Sequence, residues 1–363
     1  MKRVGKILLI TLLVIIGIVL AGLIVLWIKS PGNIDSLKDS SGKEIAGSLV
    51  EKSFVEIGGI QQGFFIRSEN VENPVLLFLH GGPGSPMLSI QIETELTERL
   101  EKYFTVCYWE QRGAGITFND NLDISTMTVA QMVEDTRQMT DYLQRRFGQE
   151  KIYLMGHSWG SYLGIKTITK YPDNYMAYIG IGQISNQLES EKLAFDYLKG
   201  VAAEKNDEKL LKKLQQYNKL APDFPSHEYL MDVRMDMNKY GVGMAHQDIS
   251  MLDMIKSVIL FKGYTFTEKV NYTKGSLLSL DLFDNIIADN LFESAISFDV
   301  PIYLMHGKYD YVTSYALARE YLDKIEAPAK GFFTFDNSAH SPNIEEPAQF
   351  IQNVREIMVR LRR

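Results

Sequence analysis

A chain of 363 residues with one cysteine, Cys107, can form no intramolecular disulfide, so its fold must rest on a core. Cys107 sits in the apolar run YFTVCYW, which reads as a central strand. A buried, inert thiol is expected there, and not a nucleophile. The body of the chain has no run of basic residues, and the formal net charge is −7. That balance argues against nucleic acid as a partner, because phosphate binding needs clustered Lys and Arg. No internal repeat, metal-ligand cluster or dinucleotide-binding loop is found, so neither a metal nor a cofactor is expected. What is present is ordinary globular composition, 45% hydrophobic and 23% charged, in a length that suits one large domain with an insertion or two small ones.

The N-terminus departs from that composition. Lys2, Arg3 and Lys6 precede an uncharged run from Ile7 to Ile28, closed by Lys29, Ser30 and Pro31. A helix over that run would be roughly 33 Å long, enough to cross a bilayer core. A cleaved signal peptide is the alternative, but the apolar region is about twice the usual length and no A-x-A site closes it. A lipoprotein is excluded because no cysteine follows. Three cations before the span and one after it place the N-terminus in the cytoplasm and the rest outside, as a single-pass cell-membrane protein.

Residues 29–48 are polar and rich in Ser, Gly, Lys and Asp, and read as a tether between residues 1–28 and a domain over 49–363. Within that domain, β-rich segments at 50–57 and 63–68 precede apolar runs at 74–79 and 104–109. A helix is predicted from Thr128 to about Phe147, with Thr128 and Gln131 at capping-box spacing. A strand at 151–155, a helix at 159–170 and a strand at 175–184 follow. The alternation stops near Asn186, and to about Glu293 the chain is rich in helix formers (LKKLQQYNKL, MLDMIKSVILF) without a convincing buried strand. It resumes with a strand at 300–305, a helix near 314–325, a strand at 331–335 and a last helix from about Glu346. The prediction is an α/β protein, a mostly parallel sheet with helices on both faces and a helical cap at about 186–293.

The strongest chemical signal is Gly156-His157-Ser158-Trp159-Gly160, a G-x-S-x-G match between strand and helix. Such a nucleophile elbow turns so sharply that side chains at the glycine positions would clash. A serine hydroxyl needs a base, and the base an orienting acid. Of six histidines, His157 adjoins the serine and points elsewhere, His80 belongs to a glycine loop, and His306 ends a strand before Gly307. His227 and His246 lie in the cap. His340 remains, in the loop after the last strand. Asp310 follows the strand PIYLMHG, 30 residues before His340. Asp299, at the wrong end of that strand, and Asp336, near His340, are rivals. The order Ser–Asp–His is that of α/β-hydrolases. Acyl transfer also needs donors for an oxyanion. The loop His80-Gly81-Gly82-Pro83-Gly84 follows a strand, and the N–H groups of Gly82 (or Gly81) and Trp159 are candidates.

Together HGGPG at 80–84, WEQRG at 109–113, GHSWGS at 156–161 and the loops of Asp310 and His340 resemble the proline iminopeptidase group of α/β-hydrolases. The resemblance covers nearly everything after residue 48 except the cap. It implies Ser158 as nucleophile with Asp310 and His340, and release of N-terminal residues from short peptides. Glu110 stands where the family usually has Asp, a conservative change, and Arg112 is expected to bridge the strand ends beneath the HGGPG loop. The resemblance also implies cap carboxylates for the substrate's α-ammonium, with Glu189, Glu191, Asp232 and Asp236 as candidates. Without such ligands the same residues would serve an esterase, amidase or lactonase. A catalytically silent binding protein is the remaining class, disfavoured because all three residues are present.

Overall fold

The computed structural model describes residues 2–93, 99–247 and 251–361. Helix α1 (Lys2–Ile28) comes first. Its segment Val4–Ile28 is long and apolar enough to cross a membrane and is not buried in the domain. Residues 29–48 do not hang free: Leu37 is buried and Ile45 N–H donates to its carbonyl. Strands β1 (Leu49–Ile57) and β2 (Ile60–Ser68) form a hairpin, followed by β3 (Val75–Leu79), α2 (Leu88–Glu93), β4 (Thr105–Trp109), α3 (Val129–Phe147), β5 (Ile152–His157), α4 (Trp159–Lys170) and β6 (Tyr175–Ile181). Seven helices follow: α5 (Gln187–Glu204), α6 (Glu208–Leu214), α7 (His227–Lys239), α8 (Met251–Leu260), α9 (Phe266–Leu278), α10 (Leu282–Ala288) and α11 (Leu291–Ser294). The chain ends with β7 (Ile302–Gly307), α12 (Tyr315–Lys324), β8 (Lys330–Phe335), α13 (Pro342–Glu345) and α14 (Pro347–Leu361).

The eight strands form one sheet in the order β1-β2-β4-β3-β5-β6-β7-β8. β2 runs antiparallel to β1 and β4, and the remaining pairs are parallel. Strands β3, β4, β5 and β7 are buried at every position and mostly apolar because both faces are covered. Val75, Leu77 and Leu79 enter one core, with Ile152, Leu154, Ile302 and Leu304. Their neighbours Leu76, Phe78, Tyr153, Met155, Tyr303 and Met305 enter the other. Cys107 is buried, and burial pushes its thiol well up. The helices between β6 and β7 carry a third core of Phe195, Leu198, Leu210, Leu214, Phe224, Tyr229 and Val233, joined by Val312 from beyond β7. Parallel pairing gathers the loops after β3, β5, β7 and β8 on one edge, the side where open α/β sheets place their ligands.

Two local expectations need correction. Thr128 caps α3 by accepting from Gln131 N–H at 3.1 Å, but the Gln131 side chain turns to Asp135 at 2.7 Å, so only half of the capping box forms. Arg112 directs its bonds away from the HGGPG loop. Its guanidinium donates to both Asp135 carboxylate oxygens (2.7 and 3.0 Å) and to Gly58 O at 2.8 Å, joining β4 to α3 and the β1–β2 turn. Both departures have one cause. Asp135 is buried on the inner face of α3, and a buried carboxylate draws every donor in reach: Arg112, Gln131 and also Gln62. Removing one partner of a buried pair typically costs about 3–5 kcal/mol, against about 0–1 kcal/mol at the surface. Asp135→Ala should therefore lower the unfolding free energy of the detergent-solubilised chain by several kcal/mol. Asp120→Ala, which removes the exposed partner of Lys274, should leave it nearly unchanged. Equal effects would show that the Arg112–Asp135 tie carries no special weight.

Candidate active site

Where β5 turns into α4, Ser158 adopts φ 55° and ψ −120°, a strained conformation for a residue with a side chain. The flanking glycines make the turn possible. A Cβ on Gly156 would lie 2.2 Å from Gly160 O, and one on Gly160 2.1 Å from Leu79 O. Ser158 N–H donates to Ile181 O at 2.9 Å, which fixes the turn against β6. The loop after β3 passes alongside: a Cβ on Gly81 would lie 3.2 Å from Ser158 Cβ. Gly82 has φ 115°, which favours glycine, and Ser85 N–H closes the loop onto Gly81 O at 3.1 Å. Among the described residues no acceptor takes the N–H of Gly82 or of Trp159, the first residue of α4.

The residue that holds this loop to the elbow was missed in the sequence. Gln111 is buried, its Nε2 donates to His80 O at 3.3 Å, and its Oε1 accepts from Trp159 Nε1 at 2.8 Å. Its backbone N–H donates to His80 Nε2 at 3.2 Å, while His80 Nδ1–H donates to Gly81 O at 2.9 Å. Burial lowers His80 to about 4, so the ring is neutral at physiological pH and can accept as well as donate. Gln111 lies inside the WEQRG motif, but no spacing rule marks it as a tie.

Asp310 and His340 come together because β7 and β8 are parallel neighbours. His340 Nδ1–H donates to Asp310 Oδ2 at 2.8 Å, and both residues are buried. Asp310 Oδ1 accepts from Val312 N–H (2.8 Å) and Thr313 N–H (3.0 Å), and Thr313 Oγ1–H adds a bond to Oδ2 at 2.8 Å. His306 Nε2 lies 2.9 Å from Oδ2, so this histidine borders the acid as well as ending its strand. Burial alone would raise Asp310, but His340 and His306 outweigh it and hold the carboxyl well below the usual range. His157 points away from the serine hydroxyl and donates Nε2–H to His340 O at 2.9 Å. Burial lowers it to about 3, so it too is neutral at physiological pH. The rivals stand apart: Asp336 pairs with Lys308 in solvent, and Asp299 is exposed.

The four cap carboxylates part company. Glu189 is half exposed and pairs with Lys192 at 2.7 Å. Asp232 and Asp236 share Lys213 at 3.0 and 2.6 Å. Glu191 alone is buried. It accepts from Gln187 Nε2 at 2.9 Å and from Arg234, and both bonds recorded among the described residues fall on Oε1. Gln187 in turn donates to Val312 O at 2.7 Å, placing Glu191 one helical turn from the Asp310 loop. Among the described residues, no group of three or more His, Cys, Asp or Glu side chains is placed to hold a metal ion.

Comparison with known proteins identifies the fold family. The sequence profile of the alpha/beta hydrolase fold matches residues 74–347. A protein of Bacillus subtilis (strain 168) named probable aminopeptidase YbaC is 32% identical over 297 residues, 82% of this chain and 92% of that protein. The proline iminopeptidase of Saccharolobus solfataricus is 25% identical over 312 residues, 85% of this chain and 92% of that protein. Among solved structures, the proline iminopeptidase of Mycobacterium smegmatis superposes with a TM-score of 0.60 at 16% identity, over 86% of this chain and 98% of that one.

Glu110 gives a pH-dependent test of how the cap is joined. It is buried at the end of β4, Oε2 accepts from Ile116 N–H at 2.6 Å, and Oε1 accepts from the Tyr264 hydroxyl just before α9. Burial pushes it up to about 7, against the opposing pull of Tyr264 and Ile116. A carboxyl raised in the native state contributes stability that is full below its ordinary value of 4.5 and is lost as pH rises through about 7. Glu110→Gln removes the charge and keeps one acceptor oxygen, for Ile116 N–H, while its NH2 can donate to the Tyr264 oxygen. The Tm of Glu110→Gln minus that of wild type should therefore grow from pH 4.5 to about 7.5 and then level off. A difference that stays flat over that range would mean Glu110 is already ionised at the acid end.

Proposed function

Since the chain belongs to the α/β hydrolase fold family, we propose that it is a serine hydrolase in which Ser158, His340 and Asp310 act as nucleophile, base and acid, and that it releases N-terminal residues from short peptides. The observation that carries this reading is the strained Ser158 elbow on the same sheet edge as the 2.8 Å bond from His340 to Asp310. In the reaction, Ser158 Oγ attacks the carbonyl carbon and its proton passes to His340 Nε2. Asp310 holds Nδ1–H and stabilises the imidazolium. The oxyanion takes the N–H groups of Gly82 and Trp159. Collapse transfers the proton to the leaving amine, and water then repeats the sequence on the acyl-enzyme. The aminopeptidase and iminopeptidase names of the relatives support a peptide substrate, and Glu191 is the cap carboxylate best placed for its α-ammonium.

The proposal includes location. Residues 1–28 form a cytoplasmic stub and an uncleaved single-pass anchor, 29–48 connect it to the domain, and residues 49–363, with the cap at about 186–293, lie outside the cell. The length of Val4–Ile28, its lack of burial in the domain and the cations before it support this. A second reading, an acyl hydrolase for esters, amides or lactones, is favoured by one observation: Glu191 already has a cation in Arg234.

Ser158 is tested with a fluorophosphonate probe, which should label wild type, and Ser158→Ala should lose both labelling and turnover. Labelling that survives in the variant would place the nucleophile elsewhere.

The substrate class is tested by charge. Losing a hydrogen bond to a charged group costs about 1.5–3 kcal/mol, or roughly 10- to 150-fold in rate. Pro-β-naphthylamide should exceed its N-acetyl counterpart in kcat/KM by that factor, and Glu191→Gln should erode the preference while sparing a small neutral ester. Equal rates on the two amides would favour the second reading and leave the Ser158 proposal intact.

A further inference from the structure

The exit of α1 is fastened mainly to the cap, with one further tie to Lys52 of β1. Ser30 Oγ accepts from Lys269 Nζ at 2.7 Å, and the same ammonium donates to Ile259 O at 2.6 Å in the last turn of α8. Ser30 and Lys269 are both buried. Pro31 bridges to Thr265, and Lys52 donates to Gly32 O and Gly263 O, at 3.4 and 3.0 Å. Just before this lock, Leu20, Leu23, Ile24 and Trp27 of α1 line an apolar groove with Phe266 of α9. The end of the apolar helix is thus fixed between the last turn of α8 and the first of α9.

Helix α8 has two apolar faces. Met254 and Val258 pack on the core, and Ser257 is buried beside them. On the other side Leu252, Ile255, Ile259 and Leu260 are 67%, 48%, 40% and 51% exposed. Leu252, Ile255 and Ile259 recur at i, i+3 and i+7, a single stripe, flanked by the Asp253–Lys256 pair. A ten-residue helix is about 15 Å long, so the stripe begins at the α1 exit and ends no farther away than that.

We propose that this stripe is a lipid-docking surface: α8 lies in the interface of the bilayer that α1 crosses, with Leu252, Ile255, Ile259 and Leu260 among the acyl chains. The proposal rests on the anchor reading. Its occupant is set by proximity, because the exit of α1 and the Ile259 end of the stripe meet on one ammonium, that of Lys269, so a bilayer crossed by α1 lies beside the stripe. Apolar side chains beside a cation that can reach the headgroups, here Lys256, are what an interfacial helix presents. The seat reaches the catalytic edge through α9. Its Ser276 Oγ donates to Gly84 O at 2.8 Å, and Tyr272 donates to Pro86 O at 3.2 Å. Ten residues of helix from Phe266 put the glycine loop about 15 Å along α9 from the lipid contact.

The test uses the full chain in lipid nanodiscs with a spin label at Leu252→Cys, at Ile255→Cys, or at Leu13→Cys within α1. Wild type, whose one cysteine is buried, serves as the blank. Power saturation compares collisions with oxygen, which concentrates in lipid, and with a nickel chelate, which stays in water. Labels at 252 and 255 should favour oxygen, as at 13. Nickel-favouring labels at 252 and 255 beside an oxygen-favouring label at 13 would overturn the docking and keep the anchor. Low access to both reagents would show protein covering the stripe, a second copy for example, and would also overturn it. A nickel-favouring label at 13 would remove the anchor reading and the docking with it, while the Ser158 proposal would stand.

Discussion

A carboxylate shut away from water costs several kcal/mol unless donors surround it, and the sheet edge that carries the candidate site is arranged around that requirement at Asp310. Two backbone amides and the Thr313 hydroxyl supply the local donors, and His340 reaches across from the neighbouring strand. The same turn carries the cap. Gln187 of α5 donates to Val312 O, and Tyr311 N–H donates to Val242 O. His340 N–H reaches Gly243 O at 3.2 Å. Asp310, His340 and the cap therefore share one set of hydrogen bonds. A disturbance of the cap near residues 242–243 would reach the His340 backbone directly.

The serine side of the edge has its own tie, and it differs in kind. Gln111 is neutral, and it joins the glycine loop to α4 through three hydrogen bonds. Neutral bonds of this kind contribute about 1 kcal/mol each, so they set position more than stability. One residue earlier, Glu110 joins the same strand end to the cap through Tyr264. Consecutive residues at the end of β4 thus face opposite tasks: Gln111 aligns the loop beside Ser158, Glu110 anchors α9, and Arg112 turns away to Asp135.

These roles show what a sequence can and cannot display. The strand–turn–helix around Ser158 is legible because only glycine fits at 156 and 160, where a Cβ would meet backbone at 2.1–2.2 Å. The pairing of Asp310 with His340 is legible from order and spacing, because parallel neighbours must bring their following loops together. The sheet reads from its apolar runs for the same reason. Side-chain direction is less visible. Arg112 and Gln131 look like a loop brace and a capping partner, and both are diverted by the buried Asp135, whose burial only the packed helix reveals. His306 reads as a strand end although its ring meets Asp310. The exposed stripe on α8 sits in a segment that reads as one more amphipathic cap helix, since periodicity does not tell which apolar face is covered.

Charge balance sets what the cap must do with an amine. Arg234 and Glu191 form a neutral pair, with the carboxylate almost wholly buried and the guanidinium partly open to solvent, at 2% and 29% side-chain exposure. An ammonium added beside them would leave a net positive charge in a low-dielectric region, which is costly. The asymmetry of exposure points to the remedy. Arg234 also stacks over Phe283, its guanidinium 4.8 Å from the ring centroid, so it keeps a partner if it lets go of Glu191 and turns toward water. Glu191 has no such retreat and must keep a cation. Exchange of one cation for another at a fixed carboxylate preserves the balance, whereas a neutral ester or lactone leaves Arg234 where it is. The Glu191–Arg234 pair is therefore compatible with a peptide amine only as a displaceable placeholder, and it is Arg234 that must move.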